Sequence, residues 1–411
     1  MGKRSGIPVV LVGIMFTILG SGMCYVVIRS LPTRLADYQL YYAIWNIFTL
    51  VCFLIAITTM HSSSTSGFLN TVGKVCLLFA SFYVTLFLAT MFYGIFGLFA
   101  RISLFFWDYY VFLDIKYYLY LFLQVGYFLY TFLALFNRIS LRFLKKLKVQ
   151  VEFDDINLDL EQIRIAAISD THLDGFFGDK SMVYAIEDKV KEIAPDLLLN
   201  LGDIVDTSID RFKAFVQTEG IGMPFVPKKI AVGGNHDSFH TLDNDSERVL
   251  EDILQYDVVD KFEHITIKSG NATIAVTGVN YMNSKLRKYE IEKLREIMQK
   301  DVDLVLCMVH EPGNPFFKDV RKVIEDYPDC NLIILSGHTH AGQIFGFHWI
   351  VKLFFATTNA WGLKKMGKNA YSYVNAGTST WFIPLSLWTL NGEVTQFSIV
   401  KRKGSAIENN L

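Results

Sequence analysis

The spacing of apolar residues divides the chain into two regions. In the first third, four stretches lack formal charge over the roughly 20 residues that a bilayer-spanning helix needs. They are residues 7–28, 38–60, 75–100 and 117–137. This pattern predicts four transmembrane helices. A cleaved signal peptide fits poorly, because the first stretch exceeds the usual apolar core of such a peptide and further spans follow it.

Beyond about Val149 the apolar runs become short, as is typical of buried strands in an α/β domain. Six runs are predicted to be strands: residues 163–169, 196–202, 228–234, 272–279, 303–310 and 331–337. Residues 180–193 and 286–300 show helical patterns between them. We therefore predict a transmembrane domain over residues 1–148 and an α/β domain over residues 149–411.

Composition supports this division and excludes other classes of protein. The chain is 52% hydrophobic with a mean hydropathy of +0.31, too apolar for an ordinary soluble enzyme of this length. Its net charge is −1, from 39 basic and 40 acidic residues, so no global basic surface favours nucleic acid as a partner. The five cysteines form no CxxC pair, which argues against a disulfide framework or a zinc knuckle.

Basic residues near the span ends predict the orientation in the membrane, because cytoplasmic flanks carry an excess of them. One side has Lys3, Arg4, Lys74, Arg138, Arg142, Lys145, Lys146 and Lys148; the other has Arg29, Arg34 and Arg101. Both termini and the α/β domain are therefore expected to be cytoplasmic, with the lipid bilayer as a partner. Residues 137–148 are either a basic amphipathic stretch lying on anionic headgroups or a plain positively charged end to the last span.

Five of the predicted strands are followed by side chains that can bind metal. In open α/β sheets, sites form outside the carboxyl ends of the strands, so these five loops can converge. Glycines before several of the polar residues permit tight turns and close backbone approach. Five of the nine histidines of the chain lie in these loops. The residues concerned are Asp170, His172, Asp203, Asp206, Asn235, His236, His310, His338 and His340.

The types of ligand indicate which metals fit. Imidazoles, carboxylates and one amide oxygen, without a thiolate, suit Mn, Fe or Zn better than a structural zinc site. A bridging carboxylate would allow two ions about 3.5 to 4 Å apart, an arrangement suited to phosphoryl displacement. The two histidines of SGHTHAG, residues 336–342, would then serve two different metals.

The ordered motifs DTH, GDIVD, GGNHD, MVH and GHTH closely resemble those of the calcineurin-like metallophosphoesterases, over roughly residues 150–400. The resemblance, to the membrane-bound bacterial type in particular, implies a four-layer α/β/β/α sandwich and two divalent metal ions. It assigns Asp170, His172 and His340 to the first metal. Asn235, His310 and His338 would hold the second metal, with Asp203 bridging the two. By the same resemblance His236 contacts the phosphate without ligating a metal, and Asp206 orients it; otherwise Asp206 is a loop-capping aspartate.

The sequence also departs from parts of that family. Thr207 stands where protein Ser/Thr phosphatases carry arginine, and the chain reads GNHD rather than GNHE, so a protein phosphatase is disfavoured. Ala341 replaces the first glycine of the GHTHGGQ motif that is frequent in membrane-linked bacterial members. Residues 371–385 resemble those members' glycine-rich closing loop but lack the arginine often found near its end.

The function expected from these features is a membrane-anchored hydrolase that cleaves a phosphodiester or pyrophosphate, with metal-activated water as the nucleophile. Because four spans are far more than anchoring needs, we expect an amphiphilic substrate, a lipid or a lipid-linked nucleotide at the cytoplasmic face. The family includes pyrophosphohydrolases of lipid A synthesis, which act on such molecules. The alternatives are a hydrolase of soluble nucleotides and a membrane receptor or transport module with a regulatory phosphoesterase-like domain.

Overall fold

The structure, a computed structural model, forms two compact units. The first comprises Met1–Ser140 with Phe382–Leu387, and the second Leu141–Trp381 with Trp388–Leu411. The description covers residues 39–60, 67–103, 109–141, 144–173, 179–206, 209–219, 222–239, 249–285, 289–313, 315–344, 346–380, 384–385 and 392–402. Each unit is described by itself below.

Three long helices make up the described part of the first unit: α1 (Gln39–Met60), α2 (Gly67–Ser103) and α3 (Tyr109–Ile139). The hydroxyl groups of Thr85 on α2 and Thr131 on α3 are hydrogen-bonded at 2.6 Å, which satisfies two polar groups where the helices pack.

The predicted number of transmembrane helices is only partly supported. Thr71–Phe96 and Tyr118–Ile139 are long and apolar enough to cross a bilayer, whereas the apolar run found in α1 is the shorter Ile47–Ala56. The predicted span at residues 7–28 lies outside the described residues. Among those described, the structure therefore supports two candidate spans where the sequence predicted more.

The second unit contains two six-stranded sheets. The first has the order β1-β12-β2-β3-β4-β5, and the second β10-β11-β9-β8-β7-β6. In chain order the strands are β1 (Lys145–Phe153), β2 (Ile165–Ile168), β3 (Leu197–Asn200), β4 (Lys228–Ala231), β5 (Asp257–Val258), β6 (His264–Ser269), β7 (Ala272–Val279), β8 (Leu304–Val309), β9 (Leu332–Ser336), β10 (Gly362–Lys365), β11 (Ala370–Val374) and β12 (Glu393–Lys401). The six strands predicted from sequence are β2, β3, β4, β7, β8 and β9.

The central strands of both sheets are parallel and apolar along their length. Strands β2 to β5 run parallel in the first sheet, and β7, β8, β9 and β11 do so in the second. Residues of both sheets share one buried apolar cluster, for example Ile165 and Leu199 with Val276 and Leu306. Continuous apolar strands of this kind are those buried on both faces. The two sheets confirm an α/β fold, while the four-layer sandwich stays a prediction.

Seven short helices follow these strands in the second unit as described. They are α4 (Asp179–Ile193), α5 (Ile209–Glu219), α6 (Asn235–Phe239), α7 (Tyr281–Lys285), α8 (Ile291–Met298), α9 (Phe316–Asp326) and α10 (Phe347–Phe354). Leu294 of α8 and Val320 of α9 are buried in a cluster with Val305 and Ile334 of the second sheet. Met182 and Ile186 of α4 join a cluster with Ala166 of the first sheet.

The basic stretch after the last apolar helix continues into the α/β domain. Lys145, Lys146 and Lys148 belong to β1, which pairs in parallel with β12 at the edge of the first sheet. The idea of an amphipathic stretch lying on headgroups through residue 148 is therefore wrong for these lysines. They are exposed on an edge strand, where charged side chains prevent pairing with another chain.

Candidate metal centre

The structure brings the nine side chains singled out from sequence to one place. They follow β2, β3, β4, β8 and β9, and they lie at the carboxyl ends of these parallel strands, where α/β sites form. Asp170, Asp203 and His310 are fully or almost fully buried, and His236 keeps an 18% exposed side chain. The site is therefore a largely buried cluster in which His236, His338 and Asp206 are partly exposed.

The loops that carry these groups have unusual backbone conformations. Positive φ angles occur at Asp170, His172, Asp203, His338 and His340. Such angles cost free energy in residues other than glycine, and they persist where the surrounding structure enforces them, often at functional sites. Five of the nine candidate residues are thus held in strained conformations by the fold.

One glycine shows how tightly the loops are packed. A Cβ atom at Gly337 would clash with the Ser169 hydroxyl and the Asp170 carboxylate. The Asp170 carboxylate also accepts the His338 backbone N–H, at 2.9 Å from Oδ2. A side chain at position 337 would therefore separate the loop after β9 from the loop after β2.

Asp170, His172 and His340 form one group of converging ligand atoms. The Nε2 atoms of His172 and His340 are 3.0 Å apart. Oδ1 of Asp170 lies 3.4 Å from Nε2 of His340 and 3.8 Å from Nε2 of His172. This is the trio that the family resemblance assigns to the first metal.

Asn235, His310 and His338 form the second group. The Asn235 Oδ1 atom lies 3.1 Å from Nε2 of His310 and 2.9 Å from Nδ1 of His338. The other nitrogen of His310, Nδ1, lies 2.8 Å from the Leu201 carbonyl oxygen and donates to it in the tautomer that fits. In that tautomer Nε2 carries no proton and its lone pair faces the cluster, which is the usual arrangement for a metal-binding histidine.

Asp203 lies between the two groups. Its Oδ2 atom is 3.2 Å from Nε2 of His310 and 3.8 Å from Nε2 of His172. Its Oδ1 atom accepts the His236 backbone N–H at 2.8 Å. Asp203 is thus the carboxylate in reach of ligands from both groups, and its role as a bridge stays a prediction.

His236 is held by Asp206 beside the cluster. Its Nδ1 atom lies 2.8 Å from Oδ1 of Asp206, while Oδ2 of Asp206 lies 3.4 Å from Nδ1 of His172. Asp206 therefore contacts a candidate ligand as well as His236, which a loop-capping aspartate need not do. His172, Asp203 and His236 also offer atoms that lie within 4.8 Å of one another, so the geometry leaves His236 close enough to be a ligand itself.

The charges of the site act on its titrating groups. Burial opposes a positive charge on His236, but the hydrogen bond and charge of Asp206, helped by Asp203 and Asp237, outweigh it and raise the pKa of His236 to about 9. Burial likewise opposes charge on His310, yet the nearby Asp203 carboxylate raises the pKa of His310 to about 10. The Asp203 carboxylate thus favours a proton on His310 in the absence of metal, and a metal bound at Nε2 would displace that proton.

The residues present fit divalent metal ions. The Nε2 atoms of His172 and His340 face each other at 3.0 Å, and Oδ1 of Asp170 lies within 3.8 Å of both. A cation between these three atoms would accept a lone pair from each of them, which a single hydrogen bond between the two imidazoles cannot do. The donors combine imidazole, carboxylate and amide oxygen, as suits a borderline metal. Which metal binds stays a prediction.

Asp237 is a supporting residue for which no role was predicted. Its buried carboxylate accepts backbone N–H groups from Asp203, Ile204, Val205 and Gly234, at 2.8 to 3.0 Å. It therefore fixes the loop that carries Asp203 against the loop that carries Asn235. Asp237 is the last residue of the GNHD motif, and this was the only feature of the sequence that pointed to it. The folded loops show which backbone groups its carboxylate binds.

The segment that resembles a closing loop supports the first ligand loop. After β11, the Thr378 backbone N–H donates to the Ser169 carbonyl oxygen at 2.7 Å, and its hydroxyl donates to the same oxygen at 2.8 Å. The Ser379 N–H donates to the Asp170 carbonyl oxygen at 3.3 Å. Two of the positions compared with the family above lie outside the described residues, namely Thr207 and residues 381–383. Ala341, the third, is buried and has a φ of 51°.

Comparisons with known proteins agree with the site. Residues 163–342 match the calcineurin-like phosphoesterase family. An uncharacterized metallophosphoesterase of Helicobacter pylori is 30% identical over 233 residues, 55% of this chain and 56% of that protein. A transmembrane protein with metallophosphoesterase domain from Danio rerio is 24% identical over 251 residues, 59% of this chain and 54% of that protein.

The chain thus spans little more than half the length of these curated relatives. A solved dimetal phosphatase from Danio rerio aligns with a TM-score of 0.34 and 10% identity, over 53% of this chain and 88% of that one. The sequence relatives come from bacteria and animals alike, so the bacterial membrane-bound subtype stays a prediction. Together, the family match, the named relatives and the ligand cluster establish that residues 163–342 form a calcineurin-like metallophosphoesterase domain, of a family of metal-dependent phosphoester hydrolases.

Proposed function

We propose that this protein is a membrane-anchored hydrolase of phosphate esters that works with two divalent metal ions. The observation that carries the proposal is the position of Asp203 between two groups of converging ligand atoms, with its Oδ2 atom near both His310 and His172. Two bound ions in such a site supply Lewis-acid activation of water and of the phosphate oxygens. The relatives' names and the family match support the same activity for the domain.

The protein's own groups complete the chemistry. His236 is held through Nδ1 by Asp206, whose hydrogen bond and charge raise the pKa of His236, so the protonated ring, which can donate from Nε2 to the phosphate, is favoured. In this role it stabilises the charge that develops on the phosphoryl oxygens and donates a proton to the leaving oxygen. Asp206 fixes the orientation and the tautomer of the ring.

We further propose that the catalytic domain lies on the cytoplasmic side of a multi-pass membrane region. The distribution of lysine and arginine near the apolar stretches supports this orientation, and a Danio rerio relative is named as a transmembrane protein. A cysteine-reactive, membrane-impermeant probe applied to intact cells is expected to miss a cysteine engineered near the C-terminus and to reach one between Arg29 and Arg34. Permeabilised cells provide the control, since both sites must then react; labelling in the opposite pattern places the domain outside.

The proposed substrate is amphiphilic, a lipid phosphodiester or a lipid-linked pyrophosphate. Only five residues separate Ile139, the last of α3, from Lys145, the first of β1. If α3 spans the bilayer, a connection of this length extends at most about 20 Å, so the domain cannot move far from the headgroups. A substrate dissolved in the bilayer would then be presented at a high local concentration.

The test measures the hydrolysis of two substrates by the full-length protein reconstituted in proteoliposomes. We expect kcat/KM for a lipid-linked pyrophosphate, incorporated in the same vesicles, to exceed kcat/KM for a soluble nucleotide diester by about 10-fold or more. The rate with the lipid should follow its mole fraction in the bilayer rather than its bulk concentration. Equal turnover of the soluble diester, with no hydrolysis of the lipid, would show that the membrane region only localises an enzyme of soluble nucleotides.

A further inference from the structure

Helix α10, residues Phe347–Phe354, presents apolar side chains to the outside of the domain. Its sequence is FHWIVKLF, and none of its residues is buried. Leu353 is 77% exposed and Phe354 79%, with Trp349 at 54% and Phe347 at 39%. Large apolar side chains gathered on one short surface helix usually mark a binding surface rather than a face left to water.

The two ends of α10 are packed on loops that carry candidate metal ligands. At its start, a Cβ atom on Gly342, two residues after His340, would lie 2.5 Å from the Cα atom of His348. Just after its end, a Cβ atom on Gly313, three residues after His310, would lie 2.6 Å from the Phe355 ring. The helix is therefore fixed beside the metal centre.

The periodicity of the helix separates an inner from an outer face. At about 100° per residue, Trp349 and Leu353 are neighbours one turn apart, as are Ile350 and Phe354. These four side chains form one continuous apolar face. His348, whose backbone contacts Gly342, lies on the opposite side. Trp349, Leu353 and Phe354 of this face are exposed and Ile350 is half-buried, so most of the apolar face points to the outside of the domain.

Three lysines lie on the helix or close to it in the chain. Lys352 lies on the helix itself, and Lys365 is exposed on β10, at the edge of the second sheet. Lys364 donates to the Thr358 carbonyl oxygen at 2.5 Å, just beyond the helix. In the part of the chain that the structure describes, none of these three lysines forms an ion pair with a carboxylate. Their charge is thus available to an anionic partner.

We propose that α10 is an interfacial helix that docks the metal centre onto the surface of a bilayer containing anionic lipids. A short helix with exposed tryptophan and phenylalanine and a lysine of its own is suited to the boundary between headgroups and acyl chains. The lysines complement the negative surface potential of such a leaflet. The same chain contains two helices apolar enough to span a membrane, so a bilayer is the partner that these helices would keep nearby.

This docking differs from anchoring by the spans, and it does not depend on the proposed hydrolysis. The spans would hold the chain at the membrane, whereas α10 would fix which side of the domain faces it. Because α10 lies beside the loops of His310 and His340, the bilayer surface would come next to the metal centre. If the substrate is amphiphilic, docking would bring its headgroup to the site.

The test places an environment-sensitive fluorophore on α10 in the full-length protein. The Leu353→Cys substitution is made in a Cys330→Ser background, and the fluorophore is attached to the new cysteine. The protein is then reconstituted into vesicles that contain an anionic lipid, either with or without lipids whose acyl chains are labelled with nitroxide. An interfacial helix lies about 5–10 Å into the headgroup and acyl boundary, so the nitroxide lipids should remove about half of the emission. Phe354→Cys serves as a second site in case the first variant does not fold.

The matched control carries the fluorophore at Asp188→Cys, on the exposed surface of α4, where the side chain is 71% exposed. Its emission should change little with nitroxide lipids, and the Cys330→Ser protein alone gives the background labelling. Quenching at position 353 should also fall when the anionic lipid is replaced by a neutral one. Quenching at 353 no greater than at 188 overturns the proposal. The proposal is also overturned if the fluorophore at position 353 is protected from aqueous quenchers but is not quenched by the nitroxide lipids. In that case another part of this chain, a second copy or a partner protein covers the helix.

Discussion

Replacement of His236 by alanine is expected to lower turnover by roughly two to four orders of magnitude while leaving the metal content of the protein unchanged. The reason is the position of the ring, which the Asp206 carboxylate holds at 2.8 Å beside the cluster. A proton donor and charge stabiliser contributes to the transition state and not to metal affinity. Steady-state kinetics with a soluble diester, together with metal analysis of the same preparation, measures both quantities.

Two further variants separate the roles around His236. Asp206→Asn keeps the size of the side chain but removes its charge, so the pKa of His236 should fall and the upper limit of the pH–rate profile should move to lower pH. His340→Ala removes a candidate ligand and should lower the metal content. If His236→Ala loses metal as His340→Ala does, then His236 is a ligand, as its closeness to His172 and Asp203 allows.

Asp203→Asn is expected to have a larger effect on metal binding than any other single substitution in the cluster. Its carboxylate lies near ligands of both groups, and an amide offers one weaker oxygen and no charge. Loss of a group next to the ligands typically costs 10- to 100-fold in metal affinity or activity, so loss of a bridging ligand should cost more than about 100-fold. Hydrolysis measured over a range of added metal shows whether excess metal restores the rate.

The control for Asp203→Asn is Asn235→Ala, which removes a ligand predicted for only one metal. It should retain one ion more firmly than Asp203→Asn and recover more of its activity when metal is added. Both side chains are buried, so a folding check by circular dichroism accompanies each variant. Near wild-type hydrolysis by Asp203→Asn with two ions bound would remove the bridging assignment.

The sequence predicted the centre of the catalytic domain because the same residues determine both fold and site there. Strands such as β3 and β8 are continuous apolar runs that end in chemically distinctive residues, Asp203 and His310. The parallel arrangement brings those ends to one edge. Local sequence therefore indicated strands and ligands together.

Features that depend on distant pairing were missed. Strand β1 begins in a lysine-rich segment, and its partner β12 lies about 250 residues away in the chain, so no local pattern distinguished an edge strand from a membrane-surface stretch. The role of Asp237 depends on four backbone groups from two loops. The outward direction of α10 depends on which side chains pack under it, and its eight residues read as an ordinary apolar run.

The most direct test is the number of metal ions bound by the purified full-length protein and by its Asp203→Asn variant, measured by inductively coupled plasma mass spectrometry after loading with metal and desalting. We expect two divalent ions per wild-type chain, with hydrolysis that disappears on chelation and returns with metal, and clearly fewer ions in the variant. A wild-type chain that retains no ions, or hydrolyses phosphate esters equally well after they are removed, would contradict this expectation.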